Sequence, residues 1–110
     1  MCCEKGMGSA ISNKKVSLPN NSSQLKHIFG NRKGHVPDTP DNRQKLVDLA
    51  NDSSKYLGKD KYGNSWHSEI DTNGNQWWVR FMNQIINEGG MNTVPKPWDS
   101  ETGLNFNPFK

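Results

Sequence analysis

Residues 62–92, YGNSWHSEIDTNGNQWWVRFMNQIINEGGMN, alternate apolar and polar side chains with the period of two that is typical of β-strands. The segment DTNG at 71–74 has the composition of a turn, and Asn83 with Gln84 can reverse the chain a second time. The sequence therefore predicts three antiparallel strands joined as a meander. Gly89 and Gly90 permit a bulge or a tight bend in the last strand.

The middle strand of this meander presents two different faces, because successive side chains of a strand point to opposite sides. One face carries Trp77, Val79 and Phe81, and the other carries Gln76, Trp78, Arg80 and Met82. We expect the first face to pack in the core and the second, more polar face to form a concave binding surface. In the preceding strand we expect Trp66 in the core and His67 at solvent or at the sheet edge.

A helix is predicted before the strands, over residues 40–52. Thr39 can cap its free N–H groups, and the ring of Pro40 is already set for the first helical turn. Its buried face is predicted from apolar positions that fall close to one side of a helix: Leu46, Leu49, Ala50 and Leu57. A helix followed by an antiparallel sheet is an α+β fold, with an N-terminal helix packed on a small sheet.

The totals fit one small domain with an irregular beginning and end. Residues 1–22 mix Gly, Ser, Asn and Lys and are expected to form a flexible lead-in, which leaves 23–110 as the single domain. The tail 93–110 contains three prolines and is expected to wrap over the core as irregular chain. Cys2 and Cys3 cannot build a disulfide framework, and no apolar run is long enough to span a membrane.

The chain carries a mild excess of positive charge, with 14 Lys and Arg against 11 Asp and Glu and a pI near 9.0. Such a balance suits a polyanionic partner without requiring one. Part of the excess surrounds two imidazoles in KHIFGNRKGHVPDTPDNRQKL, residues 26–46, where His27 and His35 stand eight residues apart. Neighbouring cations disfavour a protonated imidazole, so the cluster makes more sense if an anion binds there.

Two histidines with neighbouring cations are the groups that metal-independent RNA cleavage needs. One group takes the proton of the 2′-hydroxyl, a second protonates the leaving 5′-oxygen, and positive charge stabilises the phosphorane. We therefore assign His27 and His35 to proton transfer. Phosphate contacts are assigned to the cations of the same region and of the middle strand: Lys26, Arg32, Lys33, Arg43 and Arg80. Trp78 is a candidate to stack a base, and its alternative place is under the C-terminal tail.

A metal site formed by His27, His35 and Asp38 is the alternative chemistry for the same segment. Its spacing matches no zinc pattern, and the surrounding cations would oppose a divalent ion. No cofactor is expected. A further alternative is that both imidazoles are solvated loop residues without a function.

Five segments stand out between residues 25 and 104: HIFGNRKGHVPDTPDNR, LGKDKYGNSW, NQWWVR, IINEGGMN and TVPKPWDSETGLN. Together they resemble the C-terminal toxin domains of bacterial contact-dependent growth inhibition and related polymorphic toxin systems. Domains of this kind with a helix-then-sheet outline are similar to the barnase, EndoU, colicin and RelE group of metal-independent ribonucleases. The resemblance implies that the chain cleaves RNA, often tRNA.

The resemblance also implies how such a domain is used. The domain would be part of a larger protein, secreted or delivered from the cell surface, and would act in the cytoplasm of a neighbouring bacterium. A cognate immunity protein would protect the producer, and an inhibitor that covers a cationic surface is expected to be acidic. The matching segments mark these residues for the site: His27, His35, Thr39, Arg43 and Arg80, with Asn92 as a further contact to substrate.

Two other classes of function stay open at this point. A basic loop and exposed aromatic rings also suit a nucleic-acid-binding module without catalysis. An immunity or adaptor protein is disfavoured, since the partner of a basic nuclease is expected to be acidic. The histidine pair discriminates between a nuclease and a binding module, because binding needs only charge whereas cleavage needs the imidazoles.

Overall fold

A computed structural model describes residues 15–104 of the chain. It contains two α-helices, a short 3₁₀ turn and four strands: α1 Ser22–Ile28, α2 Pro40–Ala50, the turn Ser53–Lys55, β1 Tyr56–Lys59, β2 Ser65–Ile70, β3 Gln76–Met82 and β4 Ile85–Asn92. The strands form one antiparallel sheet in the order β1-β2-β3-β4. The predicted α+β class is confirmed. Cys2, Cys3 and the end of the tail, 105–110, lie outside the described residues.

Helix α2 begins where its capping sequence predicts. Thr39 Oγ1 accepts a hydrogen bond from the Asn42 amide at 3.1 Å, and Pro40 occupies the first helical position. The buried face is formed by Leu46, Leu49 and Ala50, as expected. The helix ends at Ala50, slightly before the predicted residue 52.

The sheet has one strand more than the sequence predicts. Leu57, expected on the buried face of the helix, lies instead in β1 and is 38% exposed. It is the extra residue of a bulge, since Tyr56 pairs with His67 and Gly58 already pairs with Trp66. A bulge interrupts the alternation of side chains, so β1 has no clear strand pattern in the sequence.

The reversal at residues 83–84 is confirmed. Asn83 and Gln84 have φ angles of 54° and 68°, which is the left-handed backbone that a tight two-residue hairpin requires. This turn fixes the pairing of β3 with β4, beginning with Met82 opposite Ile85. Among residues 15–104, the structure has no helix that combines the length and hydropathy needed to cross a membrane.

Both faces of the sheet are covered, each by a different part of the chain. The helices pack on the face that carries Trp77, Val79 and Phe81, in a cluster with Ile28, Phe29, Leu46, Leu49 and Ile86. On the opposite face a second cluster joins β2 and β3 to the tail: Trp66, Trp78, Trp98 and Leu104. Residues 93–104 thus cover the core as irregular chain, as predicted for this part of the tail.

A bulge in β4 changes which of its side chains face the helices. Arg80 pairs with Glu88 whereas Phe81 pairs with Ile86, so Asn87 is an extra residue on β4. We expected the irregularity at Gly89 and Gly90, and it lies just before them. Because the alternation shifts by one residue at Asn87, Glu88 comes to lie on the face of β3 that carries Arg80.

The free edge of β4 is covered by the segment that precedes α1. The Ser17 amide donates to the Gln84 carbonyl at 3.0 Å, and the Ile86 amide donates to the Ser17 carbonyl at 2.9 Å. Asn51 holds the neighbouring Val16, whose side chain is buried, through hydrogen bonds to both its amide and its carbonyl. Within the predicted flexible lead-in, 1–22, Val16 and Pro19 are buried, whereas residues 20–22 are exposed.

His67 lies in the interior rather than at solvent or the sheet edge, as we had expected. Its side chain is 5% exposed, and Nδ1 donates to the Leu49 carbonyl at 2.9 Å. The ring lies between Tyr56 and Phe81, with centroid distances of 5.6 and 5.3 Å. Burial lowers the pKa of His67 below its ordinary value, because the charged imidazolium would lose its hydration.

Candidate functional site

The loop between α1 and α2 docks on the edge of β4 through Gly34. The Gly34 carbonyl accepts hydrogen bonds from the Met91 amide at 3.0 Å and from Trp78 Nε1 at 3.1 Å. Gly90 makes this approach possible, because a Cβ there would overlap the Gly34 carbonyl and lie 2.8 Å from Cα of His35. The docked loop brings His35 over the face of the sheet that carries Arg80 and Glu88.

The Glu88 side chain lies close to both His27 and His35. The sequence pattern predicts that these two histidines share one loop. His27 lies in the last turn of α1 rather than in the loop, and its Nε2 is 2.8 Å from Glu88 Oε2. His35 does lie in the loop, with Nδ1 3.7 Å from Glu88 Oε1. One carboxylate of β4 therefore lies between the imidazoles and binds His27 directly.

The hydrogen bonds of His35 decide which ring nitrogen is available to a ligand. Its Nδ1 is 2.8 Å from the Ile28 carbonyl oxygen, which can only accept, so Nδ1 carries the hydrogen. In the neutral ring Nε2 is then the nitrogen with a free lone pair. The ring also packs edge-on against Trp78, with centroids 5.9 Å apart, and this contact limits its rotation.

Arg80 is held by a chain of side-chain hydrogen bonds that starts in the turn before β2. Asp60 accepts from Asn64 Nδ2 and from Trp66 Nε1, Asn64 Oδ1 accepts from Asn87 Nδ2, and Asn87 Oδ1 accepts from Arg80 Nε at 2.6 Å. The guanidinium also lies 5.9 Å from the centre of the Trp66 ring. Within residues 15–104 neither terminal nitrogen of Arg80 has a hydrogen-bond partner, so both can bind an anion.

His35, Arg80 and Glu88 line one small open cleft of about 110 Å³, and His27 is not among its lining residues. Its walls are formed by the docked loop, the sheet face and the tail: Lys33, Gly34, His35, Trp78, Arg80, Glu88, Asn92, Lys96 and Leu104. Three cations and an imidazole face one carboxylate there. Pockets that enclose a small organic ligand measure about 300–1,000 Å³, so this cleft suits one compact anionic group of a larger substrate.

Several predicted site residues lie outside this cleft and have structural partners. Arg32 donates to the Lys26 and His27 carbonyls at 3.2 and 2.5 Å and thereby caps the end of α1. Arg43 forms a two-point ion pair with Asp38, which lowers the pKa of that carboxyl. The Thr39 hydroxyl caps α2, and the exposed Lys26 side chain does not line the cleft.

Trp78 and Asn92 line the cleft, but both are buried. Trp78 is 5% exposed and stacks on Trp66 with ring centroids 5.5 Å apart, so its face is not free to stack a base. Its alternative place, under the tail, is the one observed. Asn92 is 7% exposed and donates through Nδ2 to Gln76 Oε1 at 2.9 Å.

The alternative metal site does not assemble among the described residues. Asp38 is engaged by Arg43, and across 15–104 no three His, Cys, Asp or Glu side chains are grouped so that they could hold a metal ion. His27 and His35 have Glu88 between them instead. The two histidines therefore contact one carboxylate, with cations nearby, and do not form a metal site with Asp38.

Glu88 and Lys96 line the cleft, and the sequence does not predict either of them as a site residue. Glu88 stands opposite Arg80 in the sheet, which a correct strand register would have shown, but the bulge at Asn87 concealed that register. Lys96 lies between two prolines in the irregular tail, where no periodic pattern predicts a position. Both residues reach the cleft through contacts between distant segments.

No protein-family model, curated protein or solved structure matches this chain.

Proposed function

We propose that the chain is a metal-independent endoribonuclease whose active site is the cleft around His35 and Glu88. The observation that carries this proposal is the Glu88 carboxylate, which lies between two imidazoles beside Lys33, Arg80 and Lys96. Phosphodiester transesterification requires a base, an acid and positive charge beside the phosphate. The imidazoles and the carboxylate can transfer protons, and the neighbouring cations supply the positive charge. The size of the cleft suits one phosphate of a longer chain.

The hydrogen bonds suggest how the steps are divided. Neutral His35 presents Nε2 as a proton acceptor, because Nδ1 is bound to the Ile28 carbonyl, and it takes the proton of the 2′-hydroxyl. The oxygen then attacks phosphorus, and the bond to the 5′-oxygen breaks. The proton held between His27 Nε2 and Glu88 Oε2 passes to that leaving oxygen, while Arg80 binds the equatorial oxygens through its terminal nitrogens. The products are a 2′,3′-cyclic phosphate and a 5′-hydroxyl.

We further propose the finer identity that the sequence resemblance implies. The domain would belong to the barnase, EndoU, colicin and RelE group and act as a polymorphic or contact-dependent toxin on RNA, with tRNA as substrate. It would be delivered as part of a larger protein and act in the cytoplasm of the target cell. A cognate acidic immunity protein would cover the cleft. The helix-then-sheet order and the net charge of +3 are compatible with these proposals.

The test is cleavage of total tRNA in the presence of EDTA. We expect the wild-type chain to cut and the products to carry 2′,3′-cyclic phosphate ends. His35→Ala and Glu88→Gln should each lower the rate by about 10²–10⁴-fold, the usual contribution of a general acid or base. Lys59→Met, on the exposed strand β1 and outside the cleft, is the control and should cut at the wild-type rate.

Three results would contradict the proposal. Folded His35→Ala and Glu88→Gln variants that cut like wild type would remove the cleft from the reaction. Products with 3′-hydroxyl and 5′-phosphate ends would indicate a different reaction. Wild-type protein that binds tRNA but leaves it intact in EDTA and in Mg²⁺ would identify a binding module without catalysis.

A further inference from the structure

One buried side chain of the sheet binds the backbone of Lys96 on both sides. Gln76, at the start of β3, is 6% exposed. Its Nε2 donates to the Lys96 carbonyl and its Oε1 accepts from the Lys96 amide, each at 3.0 Å. One amide therefore binds both peptide groups of one residue of the tail, which fixes the position and the direction of the chain there.

Asn92 fixes the orientation of that amide. Asn92 pairs directly with Gln76 across β3 and β4, and its Nδ2 donates to Gln76 Oε1 at 2.9 Å. Two donors thus meet the oxygen of Gln76, so its nitrogen must face the Lys96 carbonyl. Buried amides are costly unless they are hydrogen-bonded, and this pair is satisfied only when residue 96 is in place.

The prolines on either side restrict the same residue further. Pro95 and Pro97 have no amide hydrogen, so the Lys96 amide is the only backbone donor of the three-residue run. A residue that precedes proline is also confined to extended backbone, which limits Lys96 in addition to the Gln76 contact. The backbone of Lys96 is therefore ordered in advance, and an ordered backbone lowers the entropic cost of binding a ligand.

Lys96 lines the cleft together with Lys33 and Arg80. These cations come from three separated parts of the chain: the docked loop, β3 and the tail. We propose that Lys96 binds the substrate phosphate in the cleft, and that Gln76 and Asn92 are positioning residues that hold it there. The inference rests on the proposed function only in identifying the anion as a phosphate of RNA.

Inorganic phosphate is the probe, titrated into ¹⁵N-labelled protein at constant ionic strength and followed by NMR. Wild-type protein should show saturable shifts at the amides of Gly34, His35 and Lys96. Lys96→Met keeps the length of the side chain and removes its charge, and it should weaken binding about tenfold, the scale of one hydrogen bond to a charged group. Lys96→Arg should retain most of the affinity, and the control Lys59→Met all of it.

The positioning role is tested in a double-mutant cycle. Gln76→Asn is too short to bind both peptide groups of Lys96, so it should weaken phosphate binding. Adding Lys96→Met to that variant should then cause little further loss, because both changes act on the same contact. Additive losses would show that Gln76 supports the fold without positioning Lys96, and would overturn that part of the inference.

Failure of this inference can be told apart from failure of the proposed function. Absence of saturable phosphate binding, or unchanged affinity in Lys96→Met, overturns the assignment of Lys96 even if the protein cuts RNA. Phosphate binding that depends on Lys96, in a protein that leaves RNA intact, supports the anion site and refutes the ribonuclease.

Discussion

Gly90→Ala should undock the loop that carries His35 from the sheet. An added Cβ would overlap the Gly34 carbonyl and lie 2.8 Å from His35 Cα. Both of these are backbone atoms, so no side-chain rotation relieves the overlap. The loop must move, and the hydrogen bonds from the Met91 amide and from Trp78 Nε1 to the Gly34 carbonyl are lost.

The magnitude follows from those two bonds. Each neutral hydrogen bond contributes about 0.5–1.5 kcal/mol, and leaving the buried Trp78 N–H without a partner adds about 1–3 kcal/mol. We therefore expect Gly90→Ala to lower the free energy of unfolding by about 2–6 kcal/mol. Gly89→Ala is the matched control, because its Cβ would meet the end of the Leu46 side chain at 2.9 Å and the Trp78 carbonyl oxygen at 3.2 Å, and neither atom belongs to the docked loop. Such overpacking costs about 1–3 kcal/mol and leaves the loop docked.

Urea unfolding measures the free energies, and the indole N–H resonance of Trp78 reports the docked loop. In Gly90→Ala this resonance should shift because Trp78 Nε1 loses its hydrogen bond to the Gly34 carbonyl, and tRNA cleavage should fall with it. In Gly89→Ala the resonance should stay in place. Equal stabilities of the two variants, together with an unchanged Trp78 resonance in Gly90→Ala, would refute the docking argument.

Three further predictions concern groups outside this contact. Burial lowers the pKa of His67 below 6.5, so below about pH 6.5 the unfolded chain binds more protons than the folded chain. The free energy of unfolding should therefore fall as the pH drops through that window. In urea titrations His67→Asn should abolish this pH dependence, and a dependence that persists in the variant contradicts the argument. Thr39→Ala removes the cap of α2 and should cost about 1 kcal/mol without slowing tRNA cleavage, whereas a 10²-fold loss of rate would make Thr39 catalytic. Lys33→Glu should slow association with an acidic immunity protein and weaken the salt dependence of the association rate, whereas the control Lys59→Glu should change both less. Unchanged association kinetics in Lys33→Glu would place the inhibitor away from the cleft.

The features that the sequence predicts correctly are those that local chemistry decides. Thr39 and Pro40 start α2 because a cap and a fixed φ act on the adjacent turn alone. The alternation in β3 identifies its two faces because side-chain direction in a strand is a local property. The reversal at Asn83 and Gln84 follows in the same way from the turn residues themselves.

The features that the sequence does not predict depend on contacts between distant segments. His67 is buried because the Leu49 carbonyl and the rings of Tyr56 and Phe81 meet it from other elements. In the sequence Arg32 cannot be distinguished from an arginine that binds phosphate. Only its hydrogen bonds to carbonyls at the end of α1 show that it caps the helix. The second core, around Trp66 and Trp78, exists because the tail returns to the sheet.

The hydrogen bond between Trp78 and Gly34 joins positions 44 residues apart, and this separation has a kinetic consequence. A hairpin such as β3–β4 forms in microseconds, whereas contacts across long stretches of chain form late. We therefore expect Arg80 and Glu88 to meet early and His35 to join them only when the loop docks. Under the proposed mechanism, we expect a refolding chain whose helices and strands have formed to cleave RNA only after the loop has docked.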